Sequence, residues 1–162
     1  MRDITYYEGD ASYPVVRRGR NVVLAHVVNS NGGWGSGTMF TGAISRRWPQ
    51  PEHEYREWYA RQNDWEMGAV QFVPVDPRIV VANMLCQFGY KTADNPVPLK
   101  YPALAIAWDE VVHFAAENTA DVHFPRIGTL RGGGDWSIIC DIIQRDVPDG
   151  VDLFCYNYKP KP

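Results

Sequence analysis

Short apolar runs rich in β-branched residues alternate along this chain with stretches whose apolar residues recur every three or four positions. Six runs have the length and composition of strands: Ile4–Tyr7, Asn21–Val28, Val70–Val73, Ile79–Asn83, Asp121–Pro125 and Val151–Tyr156. Helical spacing follows in between. Tyr55, Trp58 and Tyr59 mark one stripe after Pro51, and Leu104, Trp108, Val111, Val112 and Ala115 mark a second. Ile138, Ile139, Ile142 and Ile143 mark a third, opened by Gly134-Asp135-Trp136. Val- and Ile-rich strands alternating with amphipathic helices predict one α/β domain whose sheet is covered on both faces. That domain spans residues 1–158, with 159–162 a short tail.

Composition narrows the picture modestly. With 162 residues and 45% hydrophobic positions the chain can bury a full core without a disulfide or metal staple. Its formal charge of −3 is spread along the sequence with no polybasic run, which argues against a dedicated nucleic-acid surface. Cys86, Cys140 and Cys155 lack metal-ligand spacing, so reduced thiols, no metal site and no cofactor are expected. No apolar run approaches the roughly 18 residues of a membrane span, and the start of the chain has no leader pattern, which predicts a cytoplasmic protein without membrane contact.

The chemistry concentrates in two glycine clusters. Val27-Val28 runs into Asn29-Ser30-Asn31-Gly32-Gly33-Trp34-Gly35-Ser36-Gly37, and the strand ending at Pro125 runs into Gly128-Thr129-Leu130-Arg131-Gly132-Gly133-Gly134. Both lie where a strand crosses to a helix, the rim at which α/β sheets bind ligands. Backbone amides in such crossings suit a diphosphate. Neither cluster carries the Lys of a P-loop, and Phe40 stands where a dinucleotide fingerprint needs its third glycine. The residues alone therefore leave two readings open, a diphosphate cradle of another type or a pair of ordinary turns.

Tyr7-Glu8-Gly9-Asp10-Ala11, the His26–Gly37 stretch, Val81-Ala82-Asn83-Met84, and Pro125–Gly128 with Gly132–Trp136 occur in the order of a macro domain. The chain resembles the branch that processes ADP-ribose 1″-phosphate and terminal ADP-ribose. This resemblance implies a three-layer α/β/α sandwich around a mixed sheet of about six strands. It also implies a cleft for ADP-ribose or a derivative, and through it for an ADP-ribosylated protein or nucleic-acid end. Carried over position by position, Asp10 with Ala11 faces the adenine, and Tyr156 and Asn157 lie beside the base. Asn29 and Asn31 hold the distal ribose or shape its loop. Gly33, Gly35, Ser36 and Gly37 approach the ribose and diphosphate, and Gly128, Thr129, Leu130, Arg131, Gly132 and Gly133 close from the other side. Each has a structural alternative: an Asp turn, Asn turn chemistry, a core tyrosine, a solvated arginine. Gln87, after Asn83-Met84, has two readings, a cleft-lining residue or, in the favoured one, a capping or exposed residue.

Departures from the family pattern bear on catalysis. The glycohydrolases of this branch carry a Lys in the helix after the first glycine loop, where this chain reads Thr38–Arg47 without one, and an Asp in the second loop, where this chain has Gly132. Arginine cannot replace a nucleophilic lysine, because its guanidinium stays protonated. The resemblance leaves His26 as the candidate proton-transfer group, although its strand parity, opposite to Asn29, also fits a core histidine. Two activities follow: hydrolysis of a group from the terminal ribose (a 1″-phosphate or an ester-linked ADP-ribose), or non-catalytic reading of ADP-ribose. A third reading is an α/β domain for some other nucleotide.

Overall fold

The structure, a computed structural model, describes residues 1–37 and 39–159; of the expected tail, 160–162 lie outside the described residues. Six strands form one sheet: β1 (Ile4–Glu8), β2 (Asn21–Asn29), β3 (Val70–Asp76), β4 (Ile79–Gln87), β5 (Ala120–Pro125) and β6 (Leu153–Asn157). Their order is β1-β6-β5-β2-β4-β3, parallel throughout except for the β3–β4 hairpin. Helices α1 (Phe40–Arg47) and α2 (Gln50–Arg61) cover one face, α3 (Tyr101–Glu117) and α4 (Trp136–Arg145) the other. The expected mixed six-stranded α/β/α sandwich is the observed fold.

Strand alternation explains the two cores. Val22, Leu24 and Val28 of β2 pack with Ile44, Trp48 and Tyr55 on the α1/α2 side, while Val23 and Ala25 pack with Leu104, Trp108 and Val111 on the other. The Trp108 indole donates to Ile143 O at 2.9 Å and pins α3 to α4. Asp135 caps α4 by accepting from Ser137 N and Ile138 N. The strand limits moved for physical reasons. β4 runs on through Met84, Leu85 and Cys86, all fully buried, because Asn83 is not a strand end but a satisfied core amide. β3 runs through Pro74, which an edge strand tolerates at a register irregularity. No helix is long and apolar enough to cross a membrane among the described residues.

At the strand starts an ionic clasp ties the chain together. The fully buried Asp121 accepts Arg17 Nε and Nη2, both at 2.8 Å, and Arg20 Nε at 3.2 Å, while Arg17 Nη2 also reaches Asp152 at 2.7 Å. Burial pushes the Asp121 carboxyl up, but the Arg17 and Arg20 guanidinium groups outweigh it and hold it below its usual range. Replacing Arg17 with Met strands a buried carboxylate on Arg20 alone. The expected cost is about 2–4 kcal/mol in urea unfolding at pH 7; an unchanged midpoint would mean the clasp contributes nothing.

Candidate functional site

Because β2 and β5 are parallel neighbours, their crossings leave the sheet at the same rim. There they border a cleft of about 550 Å³. Its walls follow the strand order. Gly9, Ala11, Tyr156, Asn157 and Tyr158 lie at the β1/β6 end, residues 125–132 in the middle, and His26, Val27, Met39–Thr41, Ala43 and Gln87 at the β2/β4 end. Among the described residues, two arginines, Arg126 and Arg131, belong to this lining, and no Asp or Glu does.

The second glycine crossing is built to hold its shape. Gly134 N donates to Gly128 O at 2.8 Å, and Leu99 N donates to Gly132 O at 3.1 Å. A Cβ on Gly132 would stand 2.5 Å from Gly128 O, so only glycine permits this closure. Thr129 and Leu130 complete the lip, with Leu130 and Arg131 exposed. Arg126 stacks near the Tyr6 and Trp136 rings (5.7 and 5.2 Å to the centroids) and donates through Nε to Asn157 Oδ1 at 2.7 Å. This fixes a planar guanidinium at the cleft edge.

The first crossing behaves differently. Asn29 spends its amide on the loop: Oδ1 accepts from Asn31 N (2.9 Å) and Gly33 N (3.3 Å), and Nδ2 donates to Gly33 O (2.6 Å). Tyr55 OH donates to Asn29 O at 2.6 Å from below. Trp34 Nε1 donates to Ser45 Oγ, which donates to Glu52 Oε1, anchoring the loop to α1 and α2. Asn31 is exposed, and the Tyr90 hydroxyl packs against Gly33. Met39, Phe40 and Thr41 line this end of the cleft, while Gly33 is half-buried and Gly35, Ser36 and Gly37 are exposed beside them. Asp10 lies off the lining; its Oδ1 accepts from Ser12 N and Ser12 Oγ. Gly133 supports the second loop from behind Gly132.

His26 sits on the cleft floor, 3% exposed, with Trp34 and Phe40 rings edge-on at 5.3 and 5.8 Å. Asn83 Nδ2 donates to Pro51 O and Gln71 Oε1, so Asn83 Oδ1 must accept from His26 Nε2, 2.5 Å away. Burial lowers the imidazole from its ordinary 6.5 to about 4 against the opposing effect of that hydrogen bond. A neutral ring with Nε2 protonated has Nδ1 as a base. Tyr156 is 3% exposed, and its hydroxyl accepts from Val15 N and pairs with His123 Nδ1, both at 2.8 Å. It walls the cleft rather than standing free in it, whereas Tyr158 is 56% exposed. Gln87 lines the cleft at 9% exposure, held by Gly89 O, and is neither a cap nor solvated.

Met39, Phe40, Thr41, Arg126 and Tyr158 were given no site role from the sequence. α1 is too short for a periodic stripe, and Arg126 stands outside the glycine run.

No family model matches the chain. Among solved structures it is similar to a macrodomain protein from Streptomyces coelicolor, 42% identical, with a TM-score of 0.83 and coverage of 97% of this chain and 100% of that one. DarTG of Thermosipho africanus, solved in complex with ADP-ribose, shares the fold at a TM-score of 0.68 and 14% identity, over 100% of this chain and 44% of that one. A chromodomain-helicase-DNA-binding protein 1-like from Danio rerio is 30% identical over 96% of this chain, which spans only 16% of that protein. An ADP-ribose 1″-phosphate phosphatase from Candida albicans is 29% identical over 74% of this chain and 65% of its own length.

Proposed function

The chain belongs to the macrodomain family, and from that premise we propose that its cleft binds ADP-ribose and removes a group, a 1″-phosphate or an ester-linked substituent, from the terminal ribose. The observation that carries this reading is the cleft's charge: in a protein of net charge −3, the described residues that line this site include two arginines and no carboxylate, at the rim where two glycine crossings meet. That is the environment a diphosphate selects. The DarTG complex with ADP-ribose and the phosphatase relative support the same ligand class.

The strand order supports one pose. Diphosphate lies at Gly128–Gly132 in the middle, adenine at Ala11, Asn157 and Tyr158, and the terminal ribose toward His26 and the start of α1. Catalysis then rests on positioning and on His26 Nδ1, which accepts a proton from an attacking water. A histidine ionising near 4 stays neutral through physiological pH, so kcat/KM is expected to show no histidine ionisation between pH 5.5 and 8.

A second reading, a non-catalytic reader of ADP-ribosylated partners, draws on Gly132 and on residues 39–47, which hold no lysine. One pair of measurements separates the two. Wild type and His26→Ala are assayed for release of phosphate from ADP-ribose 1″-phosphate and of ADP-ribose from an ester-linked conjugate, alongside calorimetry with ADP-ribose, ADP and NAD. Turnover lost by a factor of ~100 in His26→Ala fits the hydrolase; micromolar binding without turnover fits the reader. Equal affinity for all three nucleotides would sink both.

A further inference from the structure

Three polar side chains stand in register on neighbouring strands: Gln71 of β3 pairs with Asn83 of β4, and Asn83 pairs with His26 of β2. Residues directly opposite one another project to the same face of a sheet, here the face that α2 covers. Asn83 is fully buried, so its amide is tolerated only with its polar atoms paired. The pairing runs in one direction. Gln71 Nε2 donates to Glu54 O at 2.9 Å, which leaves Gln71 Oε1 as an acceptor facing Asn83. Asn83 Nδ2 donates to that oxygen at 3.0 Å and to Pro51 O at 3.2 Å. A peptide carbonyl can only accept, so Pro51 O and Glu54 O, both in α2, fix the orientation of both amides. Turning the Asn83 amide over would set its oxygen against two acceptors. The polarity that begins at two helix carbonyls therefore ends on His26: the ring proton sits on Nε2, and Nδ1 is the nitrogen left for the cleft that His26 lines.

Resting on the hydrolase reading of the cleft, we infer that Asn83, oriented by Gln71 and by these two α2 carbonyls, is a positioning residue that holds His26 in the tautomer with Nδ1 as base. Asn83 lies off the cleft lining and acts through His26 alone. In the opposite tautomer Nδ1 would carry a proton and could only donate, and the attacking water would lose its acceptor. The test reads the ring and the rate together. Protein with isotope-labelled histidine is examined at pH 7 by long-range proton–nitrogen NMR, with His26→Ala identifying the His26 signals. On the same samples kcat and KM are measured for ADP-ribose 1″-phosphate and an ester-linked conjugate. Wild type is expected to show Nε2 protonated and Nδ1 bare. Asn83→Leu keeps the size of the side chain and removes the acceptor. Nε2–H then faces an apolar group, and the proton is expected to move to Nδ1, where cleft water can accept from it. With that move kcat is expected to fall on the order of 10-fold or more while KM stays within a factor of ~2. A wild-type spectrum with Nδ1 protonated overturns the inference without any variant having to fold. An active wild type whose tautomer and kcat survive Asn83→Leu overturns the role of Asn83 alone. Wild type that turns over neither substrate overturns the hydrolase reading, and the role of Asn83 falls with it.

Discussion

Gly133→Ala is expected to weaken ADP-ribose binding by at least about 100-fold and to destabilise the fold by roughly 2–3 kcal/mol. Two independent penalties coincide at this position. Its φ of +65° lies in the left-handed region, and an added Cβ would run into the backbone carbonyl oxygen of Pro96. Neither that carbonyl nor the Leu99 N–H, which holds Gly132 O, can move without opening the second crossing. The clash is therefore transmitted to the loop that lines the middle of the cleft. Gly150→Ala is the control. Its φ of +85° carries the same backbone strain, but a Cβ there meets nothing within 4 Å. It is expected to lose about 1–2 kcal/mol of stability and no affinity. Calorimetry and urea unfolding on both variants check this; full affinity in Gly133→Ala would mean the second crossing does not hold the ligand.

Acid is expected to destabilise this protein well before its carboxylates protonate. Burial lowers both His26 and His123 from 6.5 to about 4. His123, fully buried and stacked 4.7 Å from the Phe154 ring, is pushed further by Arg17 and in the opposite direction by Asp121. Between pH 6.5 and 4 the unfolded chain binds protons that the folded chain refuses. Stability is therefore fully present above 6.5 and drains as the pH falls through that window. From pH 7 to pH 5 each histidine accounts for about 2 kcal/mol. Asp121 and Asp135, held below their ordinary range, add their losses only at lower pH. Urea midpoints at pH 7 and 5 give the wild-type difference, and His123→Phe is expected to halve it. Equal wild-type stability at the two pH values would contradict the burial of both rings as neutral species.

The fold was legible because its elements are periodic. Six strand runs and three of four helices announce themselves through spacing, whereas α1, eight residues with a glycine inside, has no stripe to read and came only from the family resemblance. The cleft was legible in part, for the same reason. Gly128–Gly132 line it as one contiguous stretch, so the glycine run itself marks the wall. The glycines of the first crossing instead create room for Met39, Phe40 and Thr41, side chains whose placement depends on how Trp34 docks on Ser45. Polar residues were the hardest to read. Asn83 looked like a strand end and is the fixed partner of His26, and Asn29, expected to hold the distal ribose or shape its loop, hydrogen-bonds within that loop. Arg126 needed the tertiary meeting of β1, β6 and α4 before its position could be seen.

The most direct test follows the backbone amides by NMR while ADP-ribose is titrated in. Thr41 and Gly42 at the start of α1 and Gly128–Gly132 after β5 are expected to shift together along one saturating curve, with the amides around Arg2, Arg17 and Asp152 at the strand starts unmoved. Shifts confined to one crossing, or centred on the strand starts, would contradict a single diphosphate site shared by both.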